Sequence, residues 1–147
     1  MSVTLPAEER EAFLAGVHIG VIGIERPGRA PVTVPIWYAY EPGGEVEIWI
    51  EPSSLKARLL KEAGRFSLCA QSEERPWRYA TAEGPVTDWV EPAPRDRAEA
   101  IAARYLDEPE LTAYVDAAHA APSLLIRMRP QRWSSYDEER AWTPPDN

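Results

Sequence analysis

Ser54 and Lys56 have the types and spacing to hold a phosphate. They open a helix-like segment, Ser53 to Ala63, between two strand-like runs, Val46–Ile50 and Arg65–Gln71. The first turn of a helix leaves backbone N–H groups without partners, and the helix dipole places partial positive charge there. An anion is favoured at that point. Ser54 adds a hydroxyl donor and Lys56 a compact positive charge. The same pair has a plain structural reading, because Ser is an ordinary N-cap and a first-turn Lys an ordinary solvated cation. Other chemistry is sparse. His18, in an apolar run, reads as a core histidine with a backbone partner, and His119, alone among alanines, as a helix-end residue. The His, Cys, Asp and Glu residues show no metal-ligand spacing. No Gly-x-Ser-x-Gly, Walker or dinucleotide motif occurs. No catalytic side chain and no metal ligand is assigned.

The elements that must position this pair follow from periodicity and turn residues. Pro6 to Leu14 predicts a short helix, with Pro at the first turn and Glu8, Glu9 and Glu11 near the positive dipole end. Strands are predicted at Val17–Ile24, Val32–Tyr40, Val46–Ile50, Arg65–Gln71, Arg78–Val86 and Ser123–Met128. Pro35 inside the second marks an edge or a bulge. Arg26–Arg29 and Glu41–Gly44 are turns. Pro94–Leu106 and Glu110–Ala118 read as helices, and Arg129–Asn147 as a polar tail containing Trp133. Mostly antiparallel strands with inserted helices make a mainly β fold. The expectation is a six-stranded barrel in one domain over residues 1–147, its polar C-terminal tail running from about residue 137. Closure removes exposed edges.

Composition narrows the partners. The 147 residues carry a net charge of −8, with 44% hydrophobic and 27% charged side chains. That balance is globular and argues against nucleic acid or an anionic membrane as the main partner. No apolar run approaches the ~18 residues of a membrane span. The N-terminal residues show no basic and apolar leader pattern. The single Cys69 forms no intramolecular disulfide and suits a reducing cytoplasm.

Four segments resemble one family. Gly28–Tyr38 is similar to the second strand of the pyridoxamine 5′-phosphate oxidase-like superfamily, which includes the flavin/deazaflavin oxidoreductases (FDOR). Val46–Ile50 with Ser54-Leu-Lys56 resembles its strand and phosphate-binding Ser-x-Lys. Arg78–Gly84 resembles its later strand ending in Glu-Gly, and Pro130–Trp133 its closing segment. The resemblance spans roughly residues 10 to 136. It implies the split β-barrel that binds FMN, with Thr33, Val34, Pro35, Ile36 and Trp37 along the flavin ring. Trp49 and Ile50 would stand at the strand end, Ser54 and Lys56 at the phosphate, and Trp133 closing the site. Tyr79 stands where FMN-dependent members often have Gln. Leu55 replaces a frequent Arg, and the tail lacks the Arg-x-His of the vitamin B6 oxidases, which argues against that reaction.

The resemblance implies a flavin-type cofactor, either coenzyme F420, an 8-hydroxy-5-deazaflavin with a polyglutamate tail, or FMN. Arg58, Lys61 and Arg65 follow the Ser-x-Lys and suit an anionic tail, which favours coenzyme F420 slightly; a haem-type ligand also occurs in the superfamily. The implied activity is an oxidoreductase passing hydride to a small conjugated substrate, in a cytoplasmic homodimer. A non-catalytic module that binds flavin, haem or tetrapyrrole is the alternative. In either case the cofactor carries the chemistry and the protein supplies binding and orientation.

Overall fold

The computed structural model describes residues 2–142. Its strands are β1 (Gly20–Arg26), β2 (Arg29–Ile36), β3 (Tyr38–Ala39), β4 (Val46–Ile50), β5 (Arg65–Gln71), β6 (Arg78–Val90), β7 (Leu124–Met128) and β8 (Arg132–Asp137). The helices are α1 (Ala7–Ala15), α2 (Leu55–Ala63), α3 (Arg95–Ala102), α4 (Glu110–His119) and α5 (Glu138–Ala141). The strands run in the order β2-β1-β5-β6-β7-β4-β3, with β8 against β6. Every pairing is antiparallel.

Only Trp37 separates β2 from β3, so the two ends of the strand order are one bent stretch of chain. The sheet thereby curls into a split barrel. β6 is the other long element. Its first half lies between β5 and β8, and its second half pairs with β7 from Val86 to Val90, with a register shift between Val86 and Asp88. Gly84 stands just before that shift. A Cβ there would overlap the carbonyl of Arg129, on the link from β7 to β8.

The expectation of six strands is corrected to eight among the described residues. Trp37 breaks the predicted Val32–Tyr40 strand in two, because the chain must turn a barrel corner there. The eighth strand comes from the segment read as a polar tail. Residues 132–137 pair with β6 from Arg78↔Asp137 to Glu83↔Arg132, and α5 follows where the tail was expected to begin. Pro35 does lie on an edge, since β2 ends the strand order. The first strand begins at Gly20 rather than Val17.

Alternation places the core. Ile22, Ile24, Ile48, Leu68 and Ile126 are fully buried in one apolar cluster within the barrel. Tyr38 and Tyr40 point into it, and Trp37 points out. The opposite face of β4 and β7 carries Trp49 and Leu125, which pack with Ala93 and Ile101 in a second, smaller cluster. The insertion between β6 and β7, which holds α3 and α4, covers that outer face.

Candidate functional site

A cavity of about 770 Å³ opens where the barrel corner meets the insertion. Pro35, Ile36 and Trp37 come from the corner, and Trp49 and Ile50 from the end of β4. Glu51, Ser54 and Lys56 lead into α2. Ile101 of α3 and Tyr114, Ala117 and Ala118 of α4 form the facing wall, and Ser123 enters just before β7.

The aromatic side of the cavity is held from behind. Trp37 stacks on Tyr105 with ring centroids 4.8 Å apart and planes at 10°. The Tyr105 hydroxyl donates to the His18 carbonyl at 2.7 Å and accepts from the Tyr38 amide at 3.2 Å. Tyr114 stands 5.3 Å from Trp37 and meets Trp49 edge-on at 6.2 Å. The three rings leave apolar faces toward the space between them, which suits a flat ligand.

The polar end is built by the start of α2. Ser54 is its N-cap: its hydroxyl accepts from the Ala57 amide at 3.2 Å and donates to the Glu51 carbonyl at 2.7 Å. The serine proton is therefore already committed, and Ser54 organises the helix end instead of offering a free donor. The amides of Leu55 and Lys56 have no acceptor among the described residues, as expected for a first turn. Lys56 is half-buried and forms no ion pair among them. The helix end and this cation together fit a phosphate.

Seven of the eleven residues expected at the site meet in this cavity: Pro35, Ile36, Trp37, Trp49, Ile50, Ser54 and Lys56. Four do not line it. Thr33 is exposed on β2 opposite Gly23, and Val34 packs against the barrel core. Tyr79 stacks on Tyr136 in a separate hollow beyond the hairpin from β5 to β6. Trp133 lies under the Arg10 guanidinium, 5.1 Å from its ring, with Tyr40 alongside. Arg58, Lys61 and Arg65 do not line the cavity either, and Arg65 pairs with Glu25 at another hollow. Tyr114, Ala117, Ala118 and Ser123 are among the lining residues that sequence reasoning missed. The helical pattern of α4 was visible, but nothing local says which face meets Trp37 and Trp49.

The two histidines stand outside the cavity wall. His18 precedes β1, donates from Nε2 to the Phe13 carbonyl at 2.9 Å and stacks on the Phe13 ring. Burial, opposed by that hydrogen bond and reinforced by Arg104, lowers its pKa. His119 closes α4 with a 2.8 Å bond to the Ala93 carbonyl. Among the described residues no group of three or more His, Cys, Asp or Glu side chains is placed to hold a metal ion. No helix among them is long and apolar enough to cross a membrane.

No family model and no curated protein matches this sequence. Solved structures do. A conserved hypothetical protein of Mycobacterium tuberculosis superposes with a TM-score of 0.74 at 19% identity, over 99% of this chain and 92% of its own. An F420 reductase gives 0.69 at 25% identity, over 84% and 94%. A FAD- and haem-binding protein of Mycobacterium smegmatis gives 0.66 at 20%, over 98% and 75%. The fold these structures share with this chain is a split barrel, as the four sequence segments implied. Its cavity has a cationic helix start at one end and aromatic rings at the other.

Proposed function

We propose that this protein is a flavin- or deazaflavin-dependent oxidoreductase acting on a small conjugated molecule, with coenzyme F420 or FMN in the cavity. The observation that carries the reading is one continuous space joining Lys56 at the start of α2, which forms no ion pair among the described residues, to the rings of Trp37, Trp49 and Tyr114. When bound, the reduced tricyclic ring supplies the hydride. The chain's own residues bind and orient. Lys56 and the free amides neutralise the phosphate. Trp37 and Trp49, braced by Tyr105 and Tyr114, exclude water and hold flat surfaces in contact. Of the two cofactors, coenzyme F420 is favoured by the likeness to F420 reductase. The cations Arg58, Lys61 and Arg65 lend it no support, because they lie away from the cavity.

The same reading includes a cytoplasmic homodimer. Val17, Ile19 and Val21 alternate outward at 62%, 52% and 39% exposure, and Ile19 is also at the cavity rim. A second copy seated on this strip would bury it. Light scattering is expected to give twice the 16.5 kDa chain mass; a monomer at micromolar concentration rejects the dimer.

Titration of wild type and Lys56→Ala with FMN and with coenzyme F420 tests the site. The variant should lose about 1.5–3 kcal/mol of affinity for the better ligand. Equal affinities would remove Lys56 from the site. If neither cofactor binds wild type, the reading passes to a non-catalytic binding module, for which a haem titration is the next measurement. The likeness to the FAD- and haem-binding protein supports that second reading.

A further inference from the structure

The outer wall of the cavity is the insertion, and its place on the barrel is fixed on the far side of α3. Successive residues of β4 face opposite ways. Val46, Ile48 and Ile50 fill the barrel, while Glu47 and Trp49 face outward beneath the insertion. Trp49 is the cavity floor. Glu47, two residues earlier on the same face, is only 8% exposed. Its carboxylate accepts from Arg97 of α3 through both oxygens, with Arg97 Nε 3.1 Å from Oε2. Arg127, its direct partner on β7, donates to the same carboxylate at 3.1 Å. Arg127 is held in turn by Asp88 of β6 at 2.6 Å. Hydrogen bonding to Glu47 raises the Arg97 pKa above its ordinary value.

Three strands thus present one bridged set of charges, and α3 docks on it through a two-pronged guanidinium. Such a pair adds little net stability, but its geometry fixes register. From Arg97 the constraint runs one turn along α3 to Ile101, which lines the cavity. The packing of α3 against α4 carries it on to Tyr114 and Ala117, with an exposed ion pair between Arg95 and Asp116 alongside. Glu47 itself opens on a different hollow, with Tyr40, Glu45 and Arg104, and does not line the cavity.

We propose that Glu47 is a positioning residue: its bond to Arg97 sets where the insertion sits, and so the distance from the α4 wall to Trp49. Its consequence for ligand binding rests on the cavity being the cofactor site proposed above; the positioning itself does not. The test is Glu47→Gln, which keeps the volume and removes the charge. Amide hydrogen exchange is measured on the ligand-free variant, alongside FMN titration. The α4 amides should exchange about tenfold faster than in wild type while β5 and β6 keep their protection. FMN affinity should fall at a temperature where the variant is fully folded. Arg97→Lys, which keeps the charge and loses the fork, should show the same pattern more weakly and serves if Glu47→Gln does not fold. Unchanged α4 exchange, or acceleration equal in α4 and β5, overturns the proposal. If FMN does not bind wild type, coenzyme F420 takes its place in the titration; if neither binds, the cofactor reading fails while the exchange result still decides the role of Glu47.

Discussion

Ile22, Ile48, Leu68 and Ile126 sit at zero exposure inside the barrel, one apolar cluster drawn from four strands. The insertion buries far less, with Ala93, Ile101 and Leu125 at its centre. It is tied down instead by Glu47–Arg97 and by the stack of Tyr105 on Trp37, while His119 on the Ala93 carbonyl closes the insertion on itself. The cavity runs along the seam between these two regions. Burial of apolar area is non-directional, whereas ion pairs and ring stacks specify orientation. The barrel therefore supplies most of the stability and one wall of the site, and the insertion supplies the facing wall.

Substitutions can break that division, and the largest effect belongs to the barrel. Gly84→Ala places a Cβ against the Arg129 carbonyl, where the link from β7 to β8 is pinned by Gln131 to the Glu83 carbonyl at 2.8 Å. Neither backbone can yield without losing pairing. A stability loss of about 3 kcal/mol or more is expected in urea unfolding. Leu68→Ala should cost about 2–5 kcal/mol and leave the cofactor affinity of the folded fraction unchanged. A shift in affinity there would show that the barrel core also shapes the cavity.

Smaller changes are expected in the insertion, and on affinity. Tyr114 is 43% exposed, so Tyr114→Ala should leave the unfolding midpoint nearly in place. It should weaken cofactor or substrate binding by about 0.5–1.5 kcal/mol through the lost ring contacts. Equal binding would mean that the α4 wall does not touch the ligand.

The smallest effect lies at the junction. Because His18 has a lowered pKa in the folded protein, the unfolded chain takes up its proton first as pH falls through 6.5. Its contribution to stability is full above that point and declines below it. His18→Gln should flatten this part of the pH–stability profile, and an unchanged profile would mean that His18 is as solvated folded as unfolded.

The barrel could be read from the sequence because its signals are local. Val46, Ile48 and Ile50 alternate, Ser54 caps α2, and Gly28, Gly43 and Gly64 sit at positive φ in the turns. β8 could not be read so, because Arg132–Asp137 is polar and becomes a strand only by pairing with residues about fifty positions earlier. Half the site shared that difficulty. Trp49 and Lys56 were visible from a strand end and a helix start, but Tyr114 and Ser123 join them only through the long return of the chain over the barrel. Ser54 was legible in place and, on its plain reading, as the N-cap of α2; that its proton is already committed to Glu51 depends on the turn of residues 51–54.

Trp37 is at once the residue where one strand becomes two and a face of the cavity. Anyone reshaping this pocket for a new ligand has free choice at Tyr114, Ala117 and Ala118, whose helix can change its side chains without altering how the sheet closes. Trp37 offers no such freedom. A smaller residue there would enlarge the pocket and in the same act loosen the joint that lets β2 pair with β1 while β3 pairs with β4, so pocket volume and barrel closure cannot be varied independently at that position.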